Sequence, residues 1–371
     1  MRPLRPTSFE FSIPAMRGHT LRGLRYMDVT APSDGSSRWL LLHGWLDNAA
    51  SFERLVPQLF STHLANDVTA VDMSGHGKSD HRSGPYHSTD YVAEVALLAD
   101  HLYGPGVPFS LCGHSLGGGI ALAAAGVLAP RISRLVLLES VGLLSGDASS
   151  APRQLAKSMS KLPSGQTSVF ASLEAAAARR AQKNVVPDPL FTIDSARVLA
   201  SRGLRPVDGG VTWSTDPWLL LPTRMYMPED VQRALASRVT APTLIILTRD
   251  GIFQNLMRIP LLRRFGLDTL AMLLVARSLK HAARCCTILT AWWLSVNAQS
   301  KRFQRSCAIL AEISHRLRSI RDCDVRVIAR GGHHPHLTEA SAVVAEITPW
   351  MKKVAKRSPV EADPESRRSM M

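Results

Sequence analysis

Three short stretches hold residue types that could together carry out acyl transfer. The first, "LCGHSLGGG" (111–119), sets Ser115 between Gly113 and Gly117. A serine hydroxyl is a weak nucleophile until a neighbouring base takes its proton, and a sharp strand-to-helix turn is what exposes it to one. The apolar run "PFSLCG" before it reads as a strand, and "LGGGIALAAAGV" after it reads as a helix. Gly113 and Gly117 lack a Cβ, so strand and helix can approach closely there. Leu116 would open the helix and aim its free N–H at a developing oxyanion. The competing reading is plainer: small residues simply let an apolar helix pack tightly.

The second stretch, "LLLHGW" (40–45), is a strand that ends in His43-Gly44 before a loop. Trp45 is placed to give a second oxyanion N–H, Gly44 would let the backbone approach a substrate, and His43 reads as structural. The third, "IARGGHHPHLTEA" (328–340), offers a late-loop imidazole that could serve as base for the serine. His333 and His334 are both open at this point. With His336 they cluster, but no acid or cysteine stands near at ligand spacing, so we expect no metal. A further element, "VDMSGHGKSD" (71–80), reads as scaffold: Asp72 can accept turn N–H groups, and His76 is expected to be a solvent or turn histidine.

An acid must orient the imidazole. Glu139 closes the apolar run "RLVLLES", and a carboxylate there needs a partner to offset its desolvation. The alternative is a strand-end Glu facing water. Asp250, in "LTRDGIF", is the other candidate.

These residues need a frame. The runs "FEFSI", "LRGLRYMDV", "RWLLLHG", "VTAVDMS", "PFSLCGHS", "RLVLLES", "TLIILT" and "VRVIARG" read as strands, and most are separated by helical patterns such as "STDYVAEVALLADHL". Unbroken apolar runs suit strands covered on both faces, and their alternation with helices predicts an α/β fold with a mostly parallel sheet. The alternation lapses over 142–239, where "LEAAAARRAQKN" and "PEDVQRALASRV" suggest a helical lid. The expected organisation is a core over 8–141, a lid or cap over 142–239, and core again over 240–351. A basic insertion at 256–306 interrupts the last part, and 352–371 is expected to be a disordered tail.

Taken in order, "HGW", "VDMSGHGKSD", "GHSLGGG" and "GGHHPHL" resemble the α/β-hydrolase fold. "GLRPVDGGVTWSTDPWLLLP" (203–222), "VTAPTLIILTRDGIF" and "GGHHPHL" resemble the serine hydrolase-like proteins more specifically, and the resemblance covers roughly 8–255 and 307–351. It implies helices on both faces of the sheet and the lid between the sixth and seventh core strands. The family's G-x-H selects His333 as base; His334 is the alternative, with Glu339 five residues on. The acid commonly follows the seventh strand, but here Gly251 stands at that place and Asp250 one residue early. The other place, the end of the sixth strand, holds Glu139. The expected set is therefore Ser115, His333 and Glu139 for catalysis, Trp45 and Leu116 for the oxyanion, and Gly113 and Gly117 for the elbow, with no cofactor. The activity implied is hydrolysis of a small or medium carboxylic ester through an acyl-enzyme on Ser115. Two alternatives accompany it: a C–C bond hydrolase with the same triad, which would require a polar pocket and for which the lid offers Arg197, Arg202 and Arg205, and a non-catalytic ligand-binding protein on a hydrolase scaffold.

Composition limits the partners. Of 371 residues, 44 are Lys or Arg and 30 Asp or Glu, a net charge of +14. Nine basic side chains against the single Asp268 in 256–306 supply more than half of that excess, so nucleic acid is a poor partner for the whole chain. That segment could give weak contact with a membrane surface. Its apolar run is broken by Arg277, Lys280 and Arg284, so it does not read as a transmembrane helix. The five cysteines (112, 285, 286, 307, 323) form no CxxC pair and read as reduced thiols. The opening "MRPLRPTSFEFSIP" lacks the apolar stretch of a signal peptide, and we expect an intracellular, cytoplasmic protein acting on a small molecule. The oligomeric state stays open.

Overall fold

All eight runs read as strands form strands of one sheet. They are β1 (Thr7–Ile13), β2 (His19–Met27), β3 (Arg38–Leu42), β4 (Asp67–Asp72), β5 (Phe109–His114) and β6 (Ile132–Leu138), then, after a separate hairpin of β7 (Leu204–Val207) and β8 (Gly210–Trp213), β9 (Thr243–Thr248) and β10 (Cys323–Ile328). The sheet order is β1-β2-β4-β3-β5-β6-β9-β10. Only the β1–β2 and β2–β4 pairings are antiparallel; the remaining five are parallel. This computed structural model describes residues 5–13, 18–28, 37–146, 148–163, 168–182, 188–252 and 312–356. The basic segment 256–306, on which the expected surface contact rests, lies outside the described residues.

The sheet is covered on both faces because its central strands are apolar at successive positions. In β3, Leu40 and Leu42 join one core cluster with Leu98 and Ile120, while Trp39 and Leu41 join the other with Val343 and Ile347. Each fully buried leucine contributes roughly 1.5–3 kcal/mol. The helices supplying these faces include α1 (Val56–Ser61), α2 (Ser88–Tyr103) and α3 (Leu116–Val127), and beyond the insertion, after the short α8 (Pro335–Thr338), α9 (Ala340–Lys356). α9 corrects the expected start of the tail: residues 352–356 are helical. Val343, Ile347 and Trp350 hold the helix on the sheet, and Lys353 Nζ reaches Asp324 Oδ2 at 3.0 Å. Basic residues also suit a helix C-terminus.

The insertion between β6 and β9 contains α4 (Ala151–Met159), α5 (Leu173–Gln182), α6 (Ile193–Gly203) and α7 (Glu229–Ser237). Both predicted helices are there as α5 and α7. Periodicity did not predict the β7–β8 hairpin, whose four-residue strands straddle the turn residues Asp208 and Gly209. The insertion is tied to the core by polar contacts. Asn48 Nδ2 donates to the Leu199 carbonyl at 2.8 Å, and Trp45 Nε1 to that of Leu219 at 3.0 Å. Tyr86 donates its hydroxyl to Asp216 Oδ2 at 2.6 Å.

The strongest tie is a buried ion pair: Arg202 from α6 donates Nε and Nη2 to Asp72 Oδ2, each at 2.8 Å. Asp72 also accepts from the N–H groups of Ala49 and Lys78. Losing one member of a buried pair leaves the other charge uncompensated, at a cost of about 3–5 kcal/mol. Arg202→Met should therefore lower the urea unfolding midpoint by a corresponding amount. An unchanged midpoint would show that the insertion docks without this pair.

Candidate active site

Ser115 sits where β5 turns into α3. Its backbone is at φ 51°, ψ −114°, outside the conformations that L-residues ordinarily adopt. Bonds from Ser115 N to the Leu138 carbonyl (2.9 Å) and from Gly119 N to the Ser115 carbonyl (3.1 Å) hold the turn in place. The flanking glycines are required by crowding. A Cβ at position 113 would lie 2.3 Å from the Gly117 carbonyl oxygen, and one at 117 would lie 2.3 Å from that of Leu42. Close helix packing and a serine presented on a sharp turn, the two readings of the motif, are here the same structure.

His333 Nε2 stands 3.0 Å from Ser115 Oγ. If Nε2 accepts the serine proton, the ring's own proton is on Nδ1, which faces Glu139 Oε2 at 3.5 Å. That is an ion-pair approach rather than a formed hydrogen bond, and Nδ1 has no other partner. Glu139 is buried at the end of β6 with φ 49°. Its Oε1 accepts from Thr248 N and its Oε2 from Ile252 N, both at 2.7 Å. Gly251 explains the departure from the usual acid position: a Cβ there would lie 2.0 Å from Glu139 Oε2. The carboxylate from strand 6 occupies the space beside position 251. Asp250 is exposed, and among the described residues only its backbone N–H is engaged, with the Gly331 carbonyl.

His334 is brought elsewhere. Its Nδ1 lies 3.1 Å from Asp188 Oδ2 and its Nε2 3.5 Å from Asp47 Oδ2. The N–H groups of Trp45 and Leu116 have no acceptor among the described residues, as donors kept for a substrate would require. The β3 end that carries Trp45 abuts the start of α3, since a Cβ on Gly117 would also meet the His43 carbonyl at 2.5 Å. His43 is structural: Nδ1 donates to the Gly44 carbonyl, Nε2 accepts from Met73 N, and burial pushes its pKa down to about 4. His76 is a turn histidine but not a solvent one; it is fully buried and depressed to about 3. The turn folds back onto His43, whose ring lies 4.9 Å away.

Behind His333 lies a buried ionic cluster that sequence reasoning did not find. His114 Nε2 donates to the His333 carbonyl at 2.6 Å. Asp188, from the insertion, accepts from His334 N at 2.9 Å and sits 1.7 Å from where a Cβ on Gly332 would be. Arg180 Nη2 donates to Asp47 Oδ1 at 3.0 Å. His114 and Asp47 are adjacent to motifs already noted, but Asp188 and Arg180 carry no local signal. Among the described residues, no group of three or more His, Cys, Asp or Glu is placed to hold a metal ion.

Comparison with known proteins places the fold. Residues 40–259 match the alpha/beta hydrolase fold family. The chain belongs to the α/β-hydrolase family. Within it, the chain falls in the serine hydrolase-like branch: it is 30% identical over 258 residues to a serine hydrolase-like protein of Danio rerio, covering 68% of this chain and 75% of that one. It is also 28% identical to a 2-(acetamidomethylene)succinate hydrolase of Mesorhizobium japonicum, over 56% of this chain and 68% of that one. A hypothetical protein of Pseudomonas aeruginosa PAO1 superposes with a TM-score of 0.65 at 27% identity, covering 93% of this chain and 99% of that one. This α/β hydrolase contains no helix, among the described residues, long and apolar enough to cross a membrane.

The ionic cluster gives the hydrolase a pH-dependent stability. Burial disfavours the charged His334 ring, but Asp47 and Asp188 outweigh it and hold its pKa above 6.5. Burial likewise opposes the Asp188 charge, and His334 outweighs it, lowering the carboxyl below 3.8. A raised histidine stabilises the fold fully below its unfolded pKa, about 6.5, and loses that contribution as pH rises through the folded value. The lowered carboxyl contributes above about 3.9 and is lost as pH falls through its folded value. Stability in urea should therefore fall as pH rises above about 6.5, and fall less in Asp188→Asn. Equal slopes would show that Asp188 does not hold His334 charged.

Proposed function

We propose that the chain is a serine hydrolase that cleaves a carboxylic ester through an acyl-enzyme on Ser115. The observation that carries this is the 3.0 Å approach of His333 Nε2 to Ser115 Oγ at a strained strand-to-helix turn. His333 takes the serine proton as Oγ attacks the carbonyl carbon, and Trp45 N–H and Leu116 N–H hold the resulting oxyanion. The C–O bond to the alcohol then breaks, with His333 returning the proton to the leaving oxygen. Water, activated by the same imidazole, attacks the acyl-enzyme and frees the acid and Ser115. Glu139 orients His333 and offsets its charge when protonated. Its 3.5 Å separation from Nδ1 would close as the imidazolium forms, since catalytic hydrogen bonds are often long without substrate.

The arginines weighed for a C–C bond hydrolase are engaged or turned outward. Arg202 pairs with Asp72, Arg197 pairs with Glu174 and Asp194, and Arg205 is exposed on the hairpin. The non-catalytic reading draws on the same 3.5 Å separation, and kinetics separate the two. With 4-nitrophenyl butyrate, Ser115→Ala and His333→Gln should lower kcat by about 10⁶ and Glu139→Gln by about 10⁴. Asp250→Asn should retain the wild-type rate. Folded wild-type protein that hydrolyses no such ester would favour a ligand-binding role on a hydrolase scaffold.

A further inference from the structure

A cavity of about 420 Å³ opens between the insertion and the loop after β3. Sites for small ligands occupy roughly 300–1,000 Å³, with apolar walls and a few polar groups that fix orientation. This one has that composition. Phe170 and Trp213 give aromatic surface, Thr212 gives a hydroxyl, and Arg179 and Arg180 of α5 give two guanidinium groups. No carboxylate lines it among the described residues.

The two cations differ in their surroundings. Arg180 is largely buried and bonded to Asp47, so its charge is offset. Arg179 is exposed and, among the described residues, has no carboxylate partner. An unpaired guanidinium at the edge of an apolar-walled space attracts anions and can grip a carboxylate with two parallel hydrogen bonds.

The cavity also has a definite relation to the chemistry. Its wall includes Leu46, which follows Trp45, the residue assigned an oxyanion N–H; consecutive Cα atoms are about 3.8 Å apart. Leu46 has φ 63°, a conformation rare for a leucine, which points to a turn held for its placement. Arg180 connects the opposite wall, through Asp47, to His334 beside the base. The cavity wall thus begins one residue beyond the donor assigned to the oxyanion.

Resting on the serine-hydrolase reading, we propose that the cavity receives the acyl chain of the ester, and that Arg179 binds a carboxylate at the far end of that chain. The preferred substrates are thus monoesters of dicarboxylic acids rather than neutral esters.

The test compares 4-nitrophenyl hexanoate with the 4-nitrophenyl monoester of adipic acid. Wild type should favour the anionic ester in kcat/KM. Arg179→Gln should lower the anionic-to-neutral ratio about tenfold, the lower range for a charge-assisted hydrogen bond at a solvent-accessible site. Arg179→Glu should lower it further, and Arg197→Gln, outside the cavity, should leave it unchanged. An unchanged ratio in both Arg179 variants overturns the proposal. A second arm does not depend on turnover: monomethyl adipate is titrated calorimetrically into Ser115→Ala with and without Arg179→Gln. A dissociation constant about tenfold weaker with Arg179→Gln supports the site. Equal constants, or no binding to either protein, overturn it whatever the fate of Ser115 as nucleophile.

Discussion

The carboxylate of Glu139 has to be buried, and much of the site is arranged around that requirement. It emerges from β6 with no exposed surface on its side chain, where an unpaired charge would be strongly unfavourable. Two backbone N–H groups, that of Thr248 at the end of β9 and that of Ile252 in the turn beyond it, supply the compensation. That turn can approach only because position 251 is glycine. Thr248 in turn donates its hydroxyl to the Gly332 carbonyl at 2.9 Å, fixing the loop after β10 that carries His333. A single buried acid thus links three parallel strands at their carboxyl ends, and the imidazole lies between it and Ser115.

A second set of buried charges ties the insertion to the same place. Arg202 meets Asp72 at the edge of β4, Arg180 meets Asp47 in the loop after β3, and Asp188 meets His334 next to the base. Each pair joins a residue of the insertion to the core at or beyond the carboxyl end of a sheet strand. Pairs of this kind add little net stability compared with apolar packing, but they specify one docking geometry. Through Asp188 the insertion also holds the loop that carries His333. It also brings Arg179 to the cavity wall.

The parts visible in the sequence are those with local causes. Strands buried on both faces must be apolar throughout, so the central strands β3, β4, β5, β6 and β9 could be read from short runs. Ser115, Gly113 and Gly117 were readable because one sharp turn demands all three within five residues. Glu139 was readable for a related reason: a carboxylate closing the buried run "RLVLLES" needs a partner. Asp188, Arg180 and Asp47 were not, because their roles arise from contacts between segments 133 or more residues apart, as for Arg180 with Asp47. His76 misled because a Gly-flanked turn ordinarily faces water, whereas this one folds beneath His43. The β7–β8 hairpin was missed because strands of four residues are too short to show a period.

Central to this account is that His333 and Glu139 activate Ser115. The most direct measurement is the rate at which a fluorophosphonate probe modifies the protein, with the adduct located by tandem mass spectrometry. The account predicts one adduct, on Ser115, forming far more slowly when His333 is replaced by Gln or Glu139 by Gln, and unaffected by Asp250→Asn. Folded wild-type protein that stays unmodified, or an adduct on another residue, would contradict it.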